Sequence, residues 1–213
     1  MVQDYRYLNK WTIKNNYPLP LISDVLENIG TKKVFTEMDL RWGYNNVRIK
    51  EGDEWKMAFT TLEGSFEPTV MFFGLTNFPV TFQAIMNELL RDLINTEKVV
   101  AFIDDVIIGT ETEEGHDEIV VEVIRRLEEN DLYMKPEKCR WKVREVGFLG
   151  VIIGSEGIKM EEEKMKGVLE WLTPKCVKDV QKFLRLANYY RQFIEGFASI
   201  ARPLHDMVKK DKK

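Results

Sequence analysis

The chain has 213 residues, 44% of them apolar, enough for one or two domains with a core of their own. Cys139 and Cys176 are its only cysteines and His116 and His205 its only histidines, which excludes a disulfide framework and a four-ligand Cys/His zinc site. The formal net charge of −4 runs against the basic footprint of a phosphate binder, but the charge is patterned. The acidic block "ETEEGHDE" (111–118) precedes the basic run "KPEKCRWKVRE" (135–145), and the chain ends in "VKKDKK". Solvated surface explains each block, and separated faces would also suit a metal site beside a polyanion. Apolar runs fall well short of the ~20 residues that span a bilayer, and the N-terminus lacks a signal-peptide layout. The expectation is an intracellular, cytoplasmic protein without a membrane partner.

In chain order, "LPLISDVLENIG" places Leu21, Val25, Leu26 and Ile29 at helical spacing and stops at Gly30, and "KKVFTEMDL" reads as a strand. "YNNVRIKEGDEWKMAFTT" predicts a hairpin turning at 51–53. "PVTFQAIMNELLRDLI" predicts a helix opening at Pro79, with an apolar face through Phe82, Ile85, Met86, Leu89, Leu90 and Leu93. A strand-turn-strand follows around "FIDDVII". "HDEIVVEVIRRLEENDLYM" is an amphipathic helix, and "EVGFLGVIIGSEGIKM" two short strands with glycine turns. From Glu161 the apolar spacing is helical, broken at Pro174 and Pro203. The layout is an α+β body followed by a helical lobe from about residue 159.

The stretch "VVAFIDDVIIGT" (99–110) carries two adjacent aspartates in an apolar setting, where unpaired carboxylates are costly. Strand side chains alternate between faces, so Asp104 and Asp105 approach each other only at a turn. Asp39 ends a third β-rich run. Three carboxylates converging at one sheet edge would repel unless divalent cations, by preference Mg²⁺, sat among them. A hydrogen-bonded Asx-turn is the competing explanation of the doublet.

The segments "DYRYLN", "YPLP", "MDLRWGY", "AFTT", "VMFFGLTNFPVTFQ", "FIDDVII", "KPEKC", "GFLG" and "LANYYRQFI" occur in this order. Together they resemble the reverse transcriptase of gypsy-type LTR retrotransposons along nearly the whole chain. The resemblance implies a right-hand polymerase fold with a ferredoxin-like palm (17–47 and 78–158), partial fingers (1–16 and 48–77) and a helical thumb (159–213). It implies RNA- or DNA-templated DNA synthesis by two-metal nucleotidyl transfer to a primer 3′-hydroxyl. Two Mg²⁺ ions, with Mn²⁺ as a substitute, would be held by Asp39, Asp104 and Asp105.

Other roles are implied position by position. Tyr44 matches the steric gate against a 2′-hydroxyl, Phe73 and Gly74 open the nucleotide pocket, and Gln83 closes that motif. Lys138 matches a lysine near the leaving pyrophosphate. Leu149 and Gly150 match the hairpin that holds the primer 3′ end. Gln181, Arg185 and Tyr189, four apart on one helix face, match the face laid into the duplex minor groove. Core packing or plain surface would account for these residue types without the resemblance.

Phe102 stands for the family's tyrosine, Phe78 for a small residue and Arg185 for a glycine. Only Met1 to Gln3 precede "DYRYLN", where the family carries basic fingers residues. The expectation is a fragment of a longer polyprotein. Its implied partners are a primed RNA or DNA template and deoxynucleoside triphosphates, with self-association through exposed edges. The alternative is a weak or inactive module that binds a duplex or a protein partner.

Overall fold

Residues 3–71 and 73–209 are described by the computed structural model, Tyr44 through its backbone alone. Two compact units follow one another, Met1–Val146 and Gly147–Lys213.

In the first unit a short helix α1 (Arg6–Trp11) and the amphipathic α2 (Ile22–Ile29) precede β1 (Val34–Asp39). Of the expected apolar stripe, Val25, Leu26 and Ile29 are buried, while Leu21 stands at the N-cap and is exposed. The small hairpin β2 (Phe59–Thr61) and β3 (Gly64–Phe66) follows, then α3 (Phe78–Leu89) and α4 (Arg91–Ile94). Next come β4 (Val99–Phe102), β5 (Asp105–Thr110), α5 (His116–Glu129) and β6 (Arg140–Val143). The main sheet is antiparallel in the order β4-β5-β1-β6, so β1 and β5 are its central strands. Helices α3 and α4 lie on β4, and α5 on β5.

Central strands need cover on both faces, and β5 is accordingly apolar through Val106, Ile107 and Ile108, all fully buried. Met38, Phe82, Met86, Leu90, Val123 and Leu127 join one core cluster with Val106 and Ile108. Each such side chain contributes roughly 1.5–3 kcal/mol on burial. Phe78, the bulky residue at a position expected to be small, is accommodated: it opens α3 and packs partly buried against this cluster.

Three expectations are corrected. Residues 44–61 do not pair as a hairpin about 51–53. Ile49 N–H donates to the Thr69 carbonyl at 2.9 Å and Met71 N–H to Val47 at 2.8 Å, so this run pairs with a later segment. Short 3-10 turns occupy Gly43–Asn46 and Glu54–Met57. The hairpin falls at β2–β3 instead, with Thr61 opposite Gly64.

The second correction concerns Pro203, which does not break its helix. It lies inside α8 (Phe197–Met207). That helix is held by packing, with Ala201 and Leu204 against Val180 and Leu184 of α7 (Val177–Tyr189), and this outweighs the lost N–H bond.

"EVGFLGVIIGSEGIKM" makes three strands rather than two: β7 (Glu145–Phe148), β8 (Val151–Gly154) and β9 (Gly157–Met160), in the sheet order β7-β8-β9. Helix α6 (Glu162–Leu169) leads into α7. Within the second unit the β7–β8 turn packs with α7: Gly150 lies against Tyr190, and Tyr189 bonds Leu149. Among the described residues no helix is long and apolar enough to cross a membrane.

Candidate active site at the β4–β5 turn

Strands β4 and β5 are joined by two residues, Ile103 and Asp104, with Phe102 opposite Asp105. On its other side Asp105 faces Asp39, the last residue of β1. Register therefore sets one carboxylate opposite another and places the third in the adjoining turn. Leu40 N–H donates to the Asp104 carbonyl at 3.1 Å, tying the end of β1 to that turn.

The turn is strained. Ile103 has φ 55°, an outlier for a β-branched residue. Gln83 braces it from α3. Its side-chain oxygen accepts the Ile103 N–H at 2.8 Å, and its amide donates to the Ala101 carbonyl at 2.8 Å and to Asn87 Oδ1 at 2.8 Å. Asn87 in turn donates to the Tyr17 hydroxyl at 2.9 Å. Gln83 is fully buried: its amide is committed to the turn from beneath, not presented to a ligand.

Asp104 Oδ1 is buried and lacks a hydrogen-bond partner among the described residues. Gly43 makes room for it: a Cβ there would lie 3.0 Å from that oxygen and 3.1 Å from Phe82 Cζ. Burial foremost, then the charge of Asp39, pushes the Asp104 carboxyl above the usual range, and Lys135 opposes this. Asp105 is raised by burial and by both neighbouring carboxylates, against Lys138 and Lys135.

Asp39 is turned to two lysines. Lys135 Nζ stands 2.9 Å from Oδ1, and Lys138 Nζ, from the 3-10 turn Pro136–Lys138, stands 3.4 Å from Oδ2. Lys138 was expected; Lys135 was missed, although the three-residue spacing in "KPEK" signals a pair on one turn. Gly43 and the bracing role of Gln83 were also missed, since their partners are distant in sequence.

The donor set suits a hard divalent cation. It consists of carboxylate oxygens, one of them without a partner among the described residues, and at Asp104 and Asp105 ionisation is disfavoured without counter-charge. As the side chains stand, no three His, Cys, Asp or Glu residues among the described ones are gathered to hold an ion. The two lysines supply the positive charge at Asp39.

The remaining expected residues fall in two places. Tyr44 lies in the turn Gly43–Asn46, and its side chain is outside the described residues. Phe73 is 72% exposed. Gly74 has φ 107°, and its carbonyl accepts from Asn9 Nδ2 at 2.7 Å. Asn9 Oδ1 also receives the Thr76 N–H at 2.9 Å. Asn77 answers by donating to the Ile13 carbonyl at 2.8 Å and accepting the Asn15 N–H at 3.0 Å. Segments 9–15 and 74–77 are thereby stitched together. In the second unit Leu149 and Gly150 form the β7–β8 turn, while Gln181, Arg185 and Tyr189 share the exposed face of α7.

An antiparallel sheet with helices on β4 and β5, and an aspartate doublet at a two-residue turn facing a third aspartate, is the architecture of a polymerase palm. The comparisons make that specific. Residues 1–153 match the family described as reverse transcriptase (RNA-dependent DNA polymerase). The chain is 39% identical over 209 residues to the retrovirus-related Pol polyprotein from transposon gypsy of Drosophila melanogaster, covering 98% of this chain and 20% of that one. It is 36% identical over 211 residues to the transposon Tf2-3 polyprotein of Schizosaccharomyces pombe, covering 99% and 16%.

Among solved structures, the foamy viral protease-reverse transcriptase in complex with an RNA/DNA hybrid superposes with a TM-score of 0.85 at 26% identity, covering 100% of this chain and 28% of that one. Its complex with double-stranded DNA gives a TM-score of 0.89 at 26% identity, covering 98% and 36%. The chain belongs to the reverse transcriptase family, on the branch of LTR-retrotransposon polyproteins. It spans about a fifth or less of the length of these two curated relatives.

Proposed function

We propose that this chain is the polymerase portion of a retrotransposon reverse transcriptase and extends a primer on an RNA or DNA template. The observation that carries the reading is the strained, Gln83-braced turn that keeps an Asp104 oxygen buried and unpartnered beside Asp39 and Asp105. A carboxylate held so at a cost has a use other than stability.

Asp39, Asp104 and Asp105 would hold two Mg²⁺ ions, or Mn²⁺ in their place. When bound, the ions offset charge on the attacking and leaving oxygens of the phosphoryl transfer. The protein's own contribution is placement. Lys138, the more exposed of the two lysines at 57%, neutralises the departing pyrophosphate. Phe73 and Gly74 line the approach of the deoxynucleotide, and Tyr44 excludes a 2′-hydroxyl. Leu149 and Gly150 hold the primer end, and the exposed face of α7 meets the duplex. Nucleic acid is bound by the foamy viral relatives in the complexes above, which supports the same class of partner here.

Primer extension on an RNA template with deoxynucleotides tests this reading, in Mg²⁺ and in Mn²⁺. Synthesis is expected from the chain and not from Asp104→Asn. A folded chain that binds a primed template yet extends nothing in either metal would overturn the catalytic reading and leave a duplex-binding module.

A further inference from the structure

The β7–β8 turn has an unusual backbone. Leu149 has φ 50° and Gly150 φ 81°, and the left-handed region is costly for leucine. Something has to hold it there. Two consecutive tyrosines at the C-terminal end of α7 do so. The Tyr189 hydroxyl donates to the Leu149 carbonyl at 2.6 Å. Tyr190 is 3% exposed, and its hydroxyl lies 2.8 Å from where a Cβ on Gly150 would stand, so only glycine fits without a shift. The two rings meet edge to face with centroids 4.8 Å apart, a favourable aromatic geometry. Phe193 extends the stack beyond Tyr190, at 6.5 Å.

We propose that Tyr189 is a positioning residue whose hydroxyl clasps the Leu149–Gly150 turn to α7, so that turn and helix set the primer terminus as one piece. This rests on the reading of that turn as the holder of the primer end. It gives Tyr189 a task that Gln181 and Arg185, on the same exposed face, do not share. Burial, then the charge of Glu161, raises the phenol's pKa, so it remains a donor throughout the neutral range. The ring, 42% exposed, is left to meet the duplex while the oxygen is engaged.

Tyr189→Phe separates the two tasks, because it removes one oxygen and keeps the ring. Amide exchange in residues 147–152 of the free chain is expected to accelerate about 3- to 10-fold, the worth of one net hydrogen bond, with α8 unchanged. On a primed template with 2-aminopurine as the primer's 3′ base, fluorescence is expected to change while duplex Kd stays within about 2-fold. The single-turnover extension rate should fall by a factor comparable to the exchange effect. Tyr189→Leu, which loses the ring as well, is expected to weaken duplex binding besides.

Unchanged exchange in 147–152 would overturn the clasp. Faster exchange with unaltered 2-aminopurine signal would make the bond merely structural and overturn positioning. A wild-type chain that binds the primed template but does not extend it fails the catalytic reading alone, and the fluorescence still decides this proposal. A chain that binds no primed template overturns both.

Discussion

A carboxylate oxygen without a donor among the described residues, on a side chain whose charged form is already disfavoured by burial and by Asp39, costs stability at neutral pH. The folded-state pKa of Asp104 lies above the unfolded value. The folded chain therefore binds the extra proton, and stability falls as pH rises through that window, from about pH 4 upward. Asp104→Asn is expected to raise the melting temperature at pH 7 in EDTA while abolishing extension, and Mg²⁺ should raise the wild-type melting temperature more than the variant's. A melting temperature lowered by the substitution would mean that the carboxylate is satisfied in the folded chain. Gly43 belongs to the same account: its missing Cβ leaves the oxygen room but no partner.

Among the elements, α5 is fastened at its first residue. His116 is fully buried, with Nε2 at 2.8 Å from Thr36 Oγ1 of β1 and Nδ1 at 2.8 Å from Thr110 Oγ1 of β5. Two hydroxyls can serve a neutral imidazole, donating to one nitrogen and accepting from the other. Burial lowers the pKa and outweighs the pull of Asp117. Its stabilising contribution is complete above the unfolded value near pH 6.5 and is lost as pH falls toward the folded value. The stability difference between wild type and His116→Leu, read from urea melts, is expected to narrow from pH 7.5 to pH 5. A difference independent of pH would show that the ring is not held neutral.

Elements of this kind were legible where periodicity and burial agree, as in α2, α3, α5 and α7. The 44–61 run was not, because its partner is the distant segment 69–71 and local alternation carries no record of that. The same limit applies to the site. The aspartates stood out against their apolar flanks and in family motifs, whereas the work of Gln83 is done on backbone atoms 18 and 20 residues away. Its letter alone could not reveal them.

At the scale of the whole molecule, a chain with net charge −4 that binds a polyanion must do so through local basic faces rather than overall charge. Binding to a primed RNA/DNA hybrid is expected to weaken with salt, with a log–log slope of roughly −0.9 per phosphate neutralised on duplex. A slope near zero, measured by anisotropy between low and physiological salt, would show that phosphate contacts do not carry the complex. The stitch between segments 9–15 and 74–77 has a consequence of another kind. Asn9 and Asn77 each satisfy backbone groups of the opposite segment, so each works whatever side chains stand across from it. When related elements exchange sequence by recombination, a junction between residues 15 and 74 puts the two segments under different parents. Because the bonds run to main-chain atoms, descendants of such a junction keep the stitch when each parent supplies its own asparagine, whatever the side chains opposite.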